Sequence, residues 1–192
     1  MICKNYEPRR VKIGPVRTSY IHLLAREKFD GDNGEGKYTM TILVPKAEKD
    51  AVAEIVKAID QAYEEGVSSR WKGKKPPFDK HNLLRDGDGV NRNGDSFGEE
   101  FKGHWFLKVK TSKKPNIIDA KGAPLLDEEE IYSGMWVATV VSFYAYDSNG
   151  NRGVAAAFDL VKKLKDGERL GGGGTAVSAL DEFGEEETQD DF

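Results

Sequence analysis

The stretch 136–164, WVATVVSFYAYDSNGNRGVAAAFDLVKKL, decides the fold. Trp136 to Tyr146 and Arg152 to Leu164 are two long runs rich in Val, Ala, Phe and Tyr, the residue types that suit a pleated surface. Between them lies Asp147-Ser148-Asn149-Gly150-Asn151. Asn-Gly between two such runs is the strongest short-range hairpin signal, because a tight primed turn needs φ > 0 at its central residues. The stretch predicts one long antiparallel hairpin, around which the remaining strands must be arranged.

Upstream, His104 to Thr111 alternates strictly: Trp105, Leu107 and Val109 point one way, Phe106, Lys108 and Lys110 the other. That pattern is a half-buried strand with a basic, aromatic outer face. Tyr38, Met40, Ile42 and Val44 alternate with Thr39, Thr41 and Leu43 after the turn cluster 30–36, giving a further strand that Pro45 ends. Val11 to Leu24 reads as extended, with Gly14-Pro15 bending it or placing it on an edge. Asn116 to Asp119 is a short segment between two turns. Val52, Ile55, Val56, Ile59, Ala62 and Tyr63 share one helical face, which predicts a helix over 46–65 that stops at Gly66. From Val67 to Gly103 neither period survives, and Pro76-Pro77 with many glycines makes a long excursion, in a compact domain more often functional than idle. One helix among five or six strands describes a small, twisted antiparallel barrel or sandwich.

A chain of 192 residues with 38% hydrophobic content has enough large apolar residues to fold as one domain, which excludes a disordered chain. Its longest apolar runs, such as Met135 to Val141, fall short of the ~18 residues of a membrane span, and Met1-Ile2-Cys3-Lys4 opens no signal-peptide core. The lone Cys3 cannot form an internal disulfide, so a reducing cytoplasm is the expected compartment. The net charge of −4 conceals an asymmetry. Residues 181–192 hold seven acids and no base, which leaves 29 basic against 26 acidic residues before them, a body of +3. Beyond Leu164 the glycines 171–174 read as a flexible tether, so the chain divides into a folded body, 1–165, and a tether with an acidic tail, 166–192. Within the body the cations cluster over 1–17, 67–85 and 102–114, the electrostatic footprint of a polyanion binder.

Catalytic patterns are missing from the sequence. Gly87, Gly89 and Gly94 miss the dinucleotide spacing, and Gly171 to Gly174 lacks the Gly-Lys-Ser/Thr end of a phosphate loop. Asp86, Asp88, Asn91, Asn93 and Asp95 approximate a calcium loop, but Val90 stands where an oxygen ligand is needed and a surface turn fits better. His22, His81 and His104 are far apart without ligand-spaced partners, and His22 reads as a half-exposed strand residue. No catalytic residue, metal or cofactor is expected.

Binding chemistry is better represented. Unpaired bases stack on aromatic rings while Lys and Arg follow the phosphates, so the required composition is aromatics interleaved with cations. Three places have it: Arg70, Trp71, Lys72, Lys74, Lys75 and Phe78 in the excursion; Phe106, Lys108, Lys110, Lys113 and Lys114; and Tyr144, Tyr146 and Arg152 around the hairpin. Trp71, between cations and prolines, reads as a ligand contact, Trp105 as core, and Phe106 as either an outer platform or a partly covered residue. Trp136 lies in a run apolar on both faces and stays open. The acidic tail, tethered beside a basic groove, can compete with DNA, and Asp190, Asp191 and Phe192 form a carboxylate-flanked aromatic anchor that a partner pocket could capture.

Leu84-Arg85-Asp86-Gly87-Asp88, the run Phe101 to Lys110, Lys114-Pro115, Ile118-Asp119, Ile131-Tyr132-Ser133-Gly134 and the Asn149-Gly150 hairpin together resemble the bacteriophage single-stranded DNA-binding proteins of the OB-fold type. The resemblance covers nearly the whole body and implies a mainly β, OB-fold-like barrel with one long α-helix and a disordered acidic C-terminal tail. One departure is the helix, which follows the second strand legible here where many such folds place it after the third. The implied function is a non-enzymatic accessory of phage DNA replication or recombination that coats single strands. Phe106, Lys108, Lys110 and the 70–78 loop map onto its DNA-facing side. The implied partners are single-stranded DNA and a phage or host polymerase, helicase or recombinase recruited through the tail; a homodimer is a further candidate assembly. The implied place is the cytoplasm of a bacterial host, with no membrane contact. Two rivals from other classes are a metal-dependent nuclease or resolvase using Asp86, Asp88 and Asp95, and a protein-binding phage factor whose tail mimics DNA.

Overall fold

The computed structural model describes residues 3–28, 34–125, 127–148 and 150–170. The decisive hairpin forms as read. β7 (Trp136–Ser148) and β8 (Asn151–Lys165) pair antiparallel along their whole length, from Ser148↔Asn151 to Trp136↔Lys165. Around it stand β1 (Cys3–Glu7), β2 (Arg10–Glu27), β3 (Lys37–Pro45), β4 (Leu84–Asp86), β5 (His104–Thr111) and β6 (Asn116–Ile118). They make one eight-stranded sheet in the order β4-β5-β3-β2-β7-β8-β6, with β1 added on β2. All pairs are antiparallel except β6 with β8.

The helix α1 (Lys49–Glu65) follows β3, the third strand once β1 is counted, so the apparent departure in strand order came from the short first strand. It buries Ala51, Ile55, Ala58, Ile59 and Ala62 in the same core as Ile13, Met40, Ile42, Leu107, Val141, Phe143 and Phe158. Gly66 does not stop it: the chain continues through a five-residue π turn, Gly66–Arg70. Glycine is required there by crowding, since a Cβ would stand 2.5 Å from that of Ala145 and 2.8 Å from the Trp71 ring. The Gly14-Pro15 bend is also present, as a register shift between Ile13 and Val16 where β2 crosses β7.

The sheet curls into a barrel that its ladders do not close. β4 pairs with β5 only over Trp105–Leu107, and β6 with β8 only over Leu160–Lys162. The edges of β5 beyond Leu107 and of β8 before Leu160 therefore approach each other across an opening with no ladder between them among the described residues. Thr39 and Thr41, which alternate with the apolar residues of β3 and would face water in an ordinary half-buried strand, are buried here. The outer face of β3 is covered by side chains that line this opening, which is why the strand is buried on both faces.

Candidate nucleic-acid interface

The opening is the candidate site. β5 delivers Lys108 and Lys110 to one wall because its inner face is committed to Leu107 and Val109. β7 delivers Tyr144 and Tyr146 to the other, opposite Ala155 and Gly153 of β8. The Tyr146 ring lies over Gly153, where a Cβ would stand 3.1 Å from the phenol oxygen; any side chain at 153 would displace the ring. Lys37, Leu83, Val154 and Ala156 complete a cleft of about 530 Å³, within the range that takes a small planar group. Burial, with a smaller contribution from Tyr146, raises the Tyr144 phenol above its ordinary value, so it stays a neutral donor.

The cleft continues in both directions. Toward the hairpin tip, Phe78, Leu83, Tyr146, Gly153 and Arg152 line a smaller hollow, with Arg152 Nε donating to Asp147 Oδ2 at 2.8 Å. Toward the other end, Leu83 and Lys108 also line a hollow of about 470 Å³ shared with Tyr20, Glu27, Arg85, Phe97, Phe101 and Phe106. Here the rings form a cluster: Phe97–Phe106 at 4.9 Å, Phe101–Phe106 at 4.7 Å and Tyr20 stacked on Phe101 at 6.0 Å. The Arg85 guanidinium lies 4.8 Å from the Phe97 centroid and 5.2 Å from that of Phe106, which fixes its plane by cation–π contact. Tyr20 is 55% exposed and holds φ +46° at an irregularity in the β2–β3 pairing, a left-handed backbone that a bulky residue adopts only where its surroundings impose it.

Phe97 is carried by an arm, residues 87–98, closed by a Val90↔Ser96 bridge and by Asn91 Oδ1 accepting from the Asn93 and Asp95 amides. The arm is pinned at its root by Lys46, which pairs with Asp86 and, at 2.7 Å, with Asp88. The Lys46 hydrogen bond is the main cause that lowers both carboxyls. Of the three acids of the nuclease reading, two are paired with Lys46 and the third, Asp95, accepts from Asn91 Nδ2 at 3.2 Å. Among the described residues no three His, Cys, Asp or Glu side chains are grouped as a metal site would need.

An open barrel with one helix and a groove of rings and cations across the gap can be compared with known proteins. The family model for the Enterobacter phage Enc34 ssDNA-binding protein matches residues 9–192. The chain belongs to that family. The single-stranded DNA-binding protein from bacteriophage Enc34, solved in complex with ssDNA, is 28% identical with a TM-score of 0.71, over 88% of this chain and 94% of that one. A C-terminal truncation of the same phage protein is 27% identical with a TM-score of 0.69, over 88% and 93%. A putative protein p50 from Acyrthosiphon pisum secondary endosymbiont phage 1 is 29% identical over 183 residues, 91% of this chain and 92% of its own.

The structure brings together Lys108, Lys110, Tyr144 and Tyr146 in one cleft, with Phe78 and Arg152 beside it. One sequence expectation, for Trp71, is corrected, and one left open, for Phe106, is decided. Trp71 is 2% exposed and belongs to the core: its Nε1 donates to the Tyr146 carbonyl at 3.1 Å and its ring packs at 5.3 Å from Tyr63. The π turn after α1 swings it inward, which composition could not reveal. Phe106 is 6% exposed, sealed by Phe97 and Phe101, so it supports the platform rather than forming its surface. Arg70 at the end of the π turn, Lys72, Lys74 and Lys75 on the loop after it, and Lys113 and Lys114 beyond the end of β5 are exposed; none of them lines the clefts described above. Trp105 packs partly against the core as read, with Lys46 over its ring at 5.2 Å. Trp136 is half-buried under Lys165. Asp190, Asp191 and Phe192 lie outside the described residues.

Tyr20, Glu27, Lys37, Arg85 and Phe97 were missed. Phe97 and Phe101 bracketing Gly98 in the excursion were the available signal, and Arg85 sits inside a motif that was quoted only for its resemblance. Residues 166–170, where a tether was expected to begin, are held against the body: Leu170 N donates to Ser133 O at 2.8 Å, Arg17 Nη2 donates to Glu168 O at 2.6 Å, and Leu170 packs beside Phe101 and Phe106.

Proposed function

We propose that this chain binds single-stranded DNA along the groove between β5 and the β7–β8 hairpin, without chemistry. Bases stack on Tyr20, Phe97, Tyr144 and Tyr146, while Lys37, Lys108, Lys110, Arg85 and Arg152 neutralise phosphates. The observation that carries the reading is the opening itself: two strand edges left unpaired, walled by lysines on one side and tyrosines on the other. The cations of 70–75 and of 113–114 lie outside the groove and act, on this reading, as a longer-range field that attracts the strand. Family membership supports a role in phage DNA replication or recombination in the cytoplasm of the bacterial host. The acidic tail, ending in Asp190, Asp191 and Phe192, would compete for the groove and recruit a polymerase, helicase or recombinase. The packing of Leu170 against the cluster of Leu43, Phe101 and Phe106 supports that competition, since the last described residue stands next to the groove.

The test is fluorescence anisotropy of labelled oligo-dT across a salt series, with EDTA present. Binding that weakens linearly in log–log form is expected, and Lys110→Ala should reduce the slope by about 0.7, the value of one phosphate contact on a single strand. Salt-independent binding, or a Lys110→Ala slope equal to wild type together with an unaffected Tyr144→Ala, would refute the groove.

A further inference from the structure

Glu27 is anomalous in a groove for a polyanion. Among the described residues lining the cleft of about 530 Å³ and the hollow of about 470 Å³ it is the one carboxylate, in the same hollow as Tyr20 and Phe97. It is not a stray surface acid: its side chain is 24% exposed, its Oε2 accepts from Thr39 Oγ1 at 2.7 Å and from Lys108 Nζ at 3.2 Å, and Thr39 is fully buried. Oε1 stands 3.7 Å from His22 Nε2, longer than a hydrogen bond. Burial alone would raise this carboxyl, but the Thr39 and Lys108 hydrogen bonds outweigh it and hold Glu27 below its ordinary value, so it is ionised at neutral pH.

Paired with Lys108, Glu27 leaves this point of the groove without a net positive charge to draw a phosphate, which favours a base against it. An ionised carboxylate only accepts hydrogen bonds. Thymine offers one N–H between two carbonyls, and the amino groups of cytosine and adenine each sit beside a ring acceptor; both arrangements set a lone pair against the carboxylate. Guanine alone presents two adjacent donors, N1–H and the N2 amino group, which match two carboxylate oxygens. Resting on the single-strand-binding reading, we propose that Glu27 reads the Watson–Crick edge of one guanine held against the Tyr20 and Phe97 rings. Thr39 and Lys108 position the carboxylate, and the chain distinguishes bases at this one subsite.

The experiment titrates the full-length chain against three labelled oligomers by anisotropy: oligo-dT, the same oligomer with one central dG, and the same with deoxyinosine there, which lacks the N2 amino group. Wild type should bind the dG oligomer about fivefold more tightly than oligo-dT, the lower end for a bidentate pair, with deoxyinosine between. Glu27→Gln, isosteric and with melting unchanged, should reduce the dG preference below about twofold. Equal wild-type affinity for all three would overturn the base reading and leave strand binding intact. A uniform gain on all three in Glu27→Gln, with ratios unchanged, would also overturn it, by showing that Glu27 only restrains Lys108. Failure of wild type to bind any of the three would instead overturn the proposed function.

Discussion

Trp71 separates a structural role from a ligand contact more sharply than any other residue. Its ring is enclosed between α1 and the end of β7, its indole N–H is satisfied by the Tyr146 carbonyl at 3.1 Å, and Tyr63 packs on it at 5.3 Å. Replacing it with alanine removes a fully buried aromatic together with the indole N–H that the Tyr146 carbonyl accepts from. Buried aromatic truncations of this kind cost about 3–5 kcal/mol. For a domain of this size each kcal/mol lowers the melting temperature by about 2–4 °C, so Trp71→Ala should melt roughly 6–20 °C below wild type. Trp71→Phe keeps most of the packing but loses the hydrogen bond, and should cost about 1 kcal/mol. Oligo-dT affinity, measured well below the transition, should change less than about fivefold, under the value of one stacked base, because the ring is not in the groove. Thermal denaturation and anisotropy on the same samples decide it. A tenfold loss of affinity with an unchanged melting temperature would mean that Trp71 reaches the DNA and that its burial here is wrong.

Three other outcomes are expected. Tyr20→Gly removes an exposed ring and relieves a left-handed backbone strained by about 1 kcal/mol, so melting should hold or rise while oligo-dT affinity falls by at least about fivefold; a fall in both would make Tyr20 a structural residue. Lys46 raises the stability of the arm only while Asp86 and Asp88 are ionised; both carboxyls are lowered, so that contribution is present above the ordinary carboxylate range and lost as pH falls through the lowered values. Lys46→Met should therefore flatten the acid limb of the urea midpoint plotted against pH, and an acid limb equal to wild type would contradict the pairing. Truncation after Leu170 should tighten oligo-dT binding at low salt and converge with the full chain at high salt, where screening removes the tail's advantage; a salt-independent difference would rule out electrostatic competition.

What the sequence revealed follows from the length of each element and the range of each contact. β5 was legible from Leu107 onward because alternation assigns Leu107 and Val109 inward and Lys108 and Lys110 outward; it failed at Phe106, which Phe97 and Phe101 cover from the other face. The β7–β8 hairpin was legible because strand length and turn chemistry agree. β4 and β6, three residues each, carry no period to read, yet they decide which edges of β5 and β8 are covered and so where the opening lies. Trp71 was misread because its environment is local in space but not in sequence: its hydrogen-bond partner is 75 residues away. Tyr20 was missed because its direction is set by a bulge rather than by alternation, and the grouping of Lys72, Lys74 and Lys75, visible in composition, is not the grouping the loop builds into the groove.

The division of labour within the groove has a consequence for how it binds. Lys108, Lys110, Tyr144 and Tyr146 stand on two long strands whose opposite faces are packed in one core, so their positions are fixed before any strand arrives. Phe97 instead stands on an arm whose root is held by the Gly87 N to His104 O hydrogen bond at 2.9 Å together with the Lys46 ion pairs, and the latter are weak and screened by salt. The cost of ordering should therefore fall almost wholly on the arm end. On the proposed reading salt acts there twice, by weakening the phosphate contacts and by loosening the root that presents Phe97. The arm half of the groove should lose its strand first as salt rises, while the β5–β7 cleft, whose tyrosines are held by core packing, retains it longest.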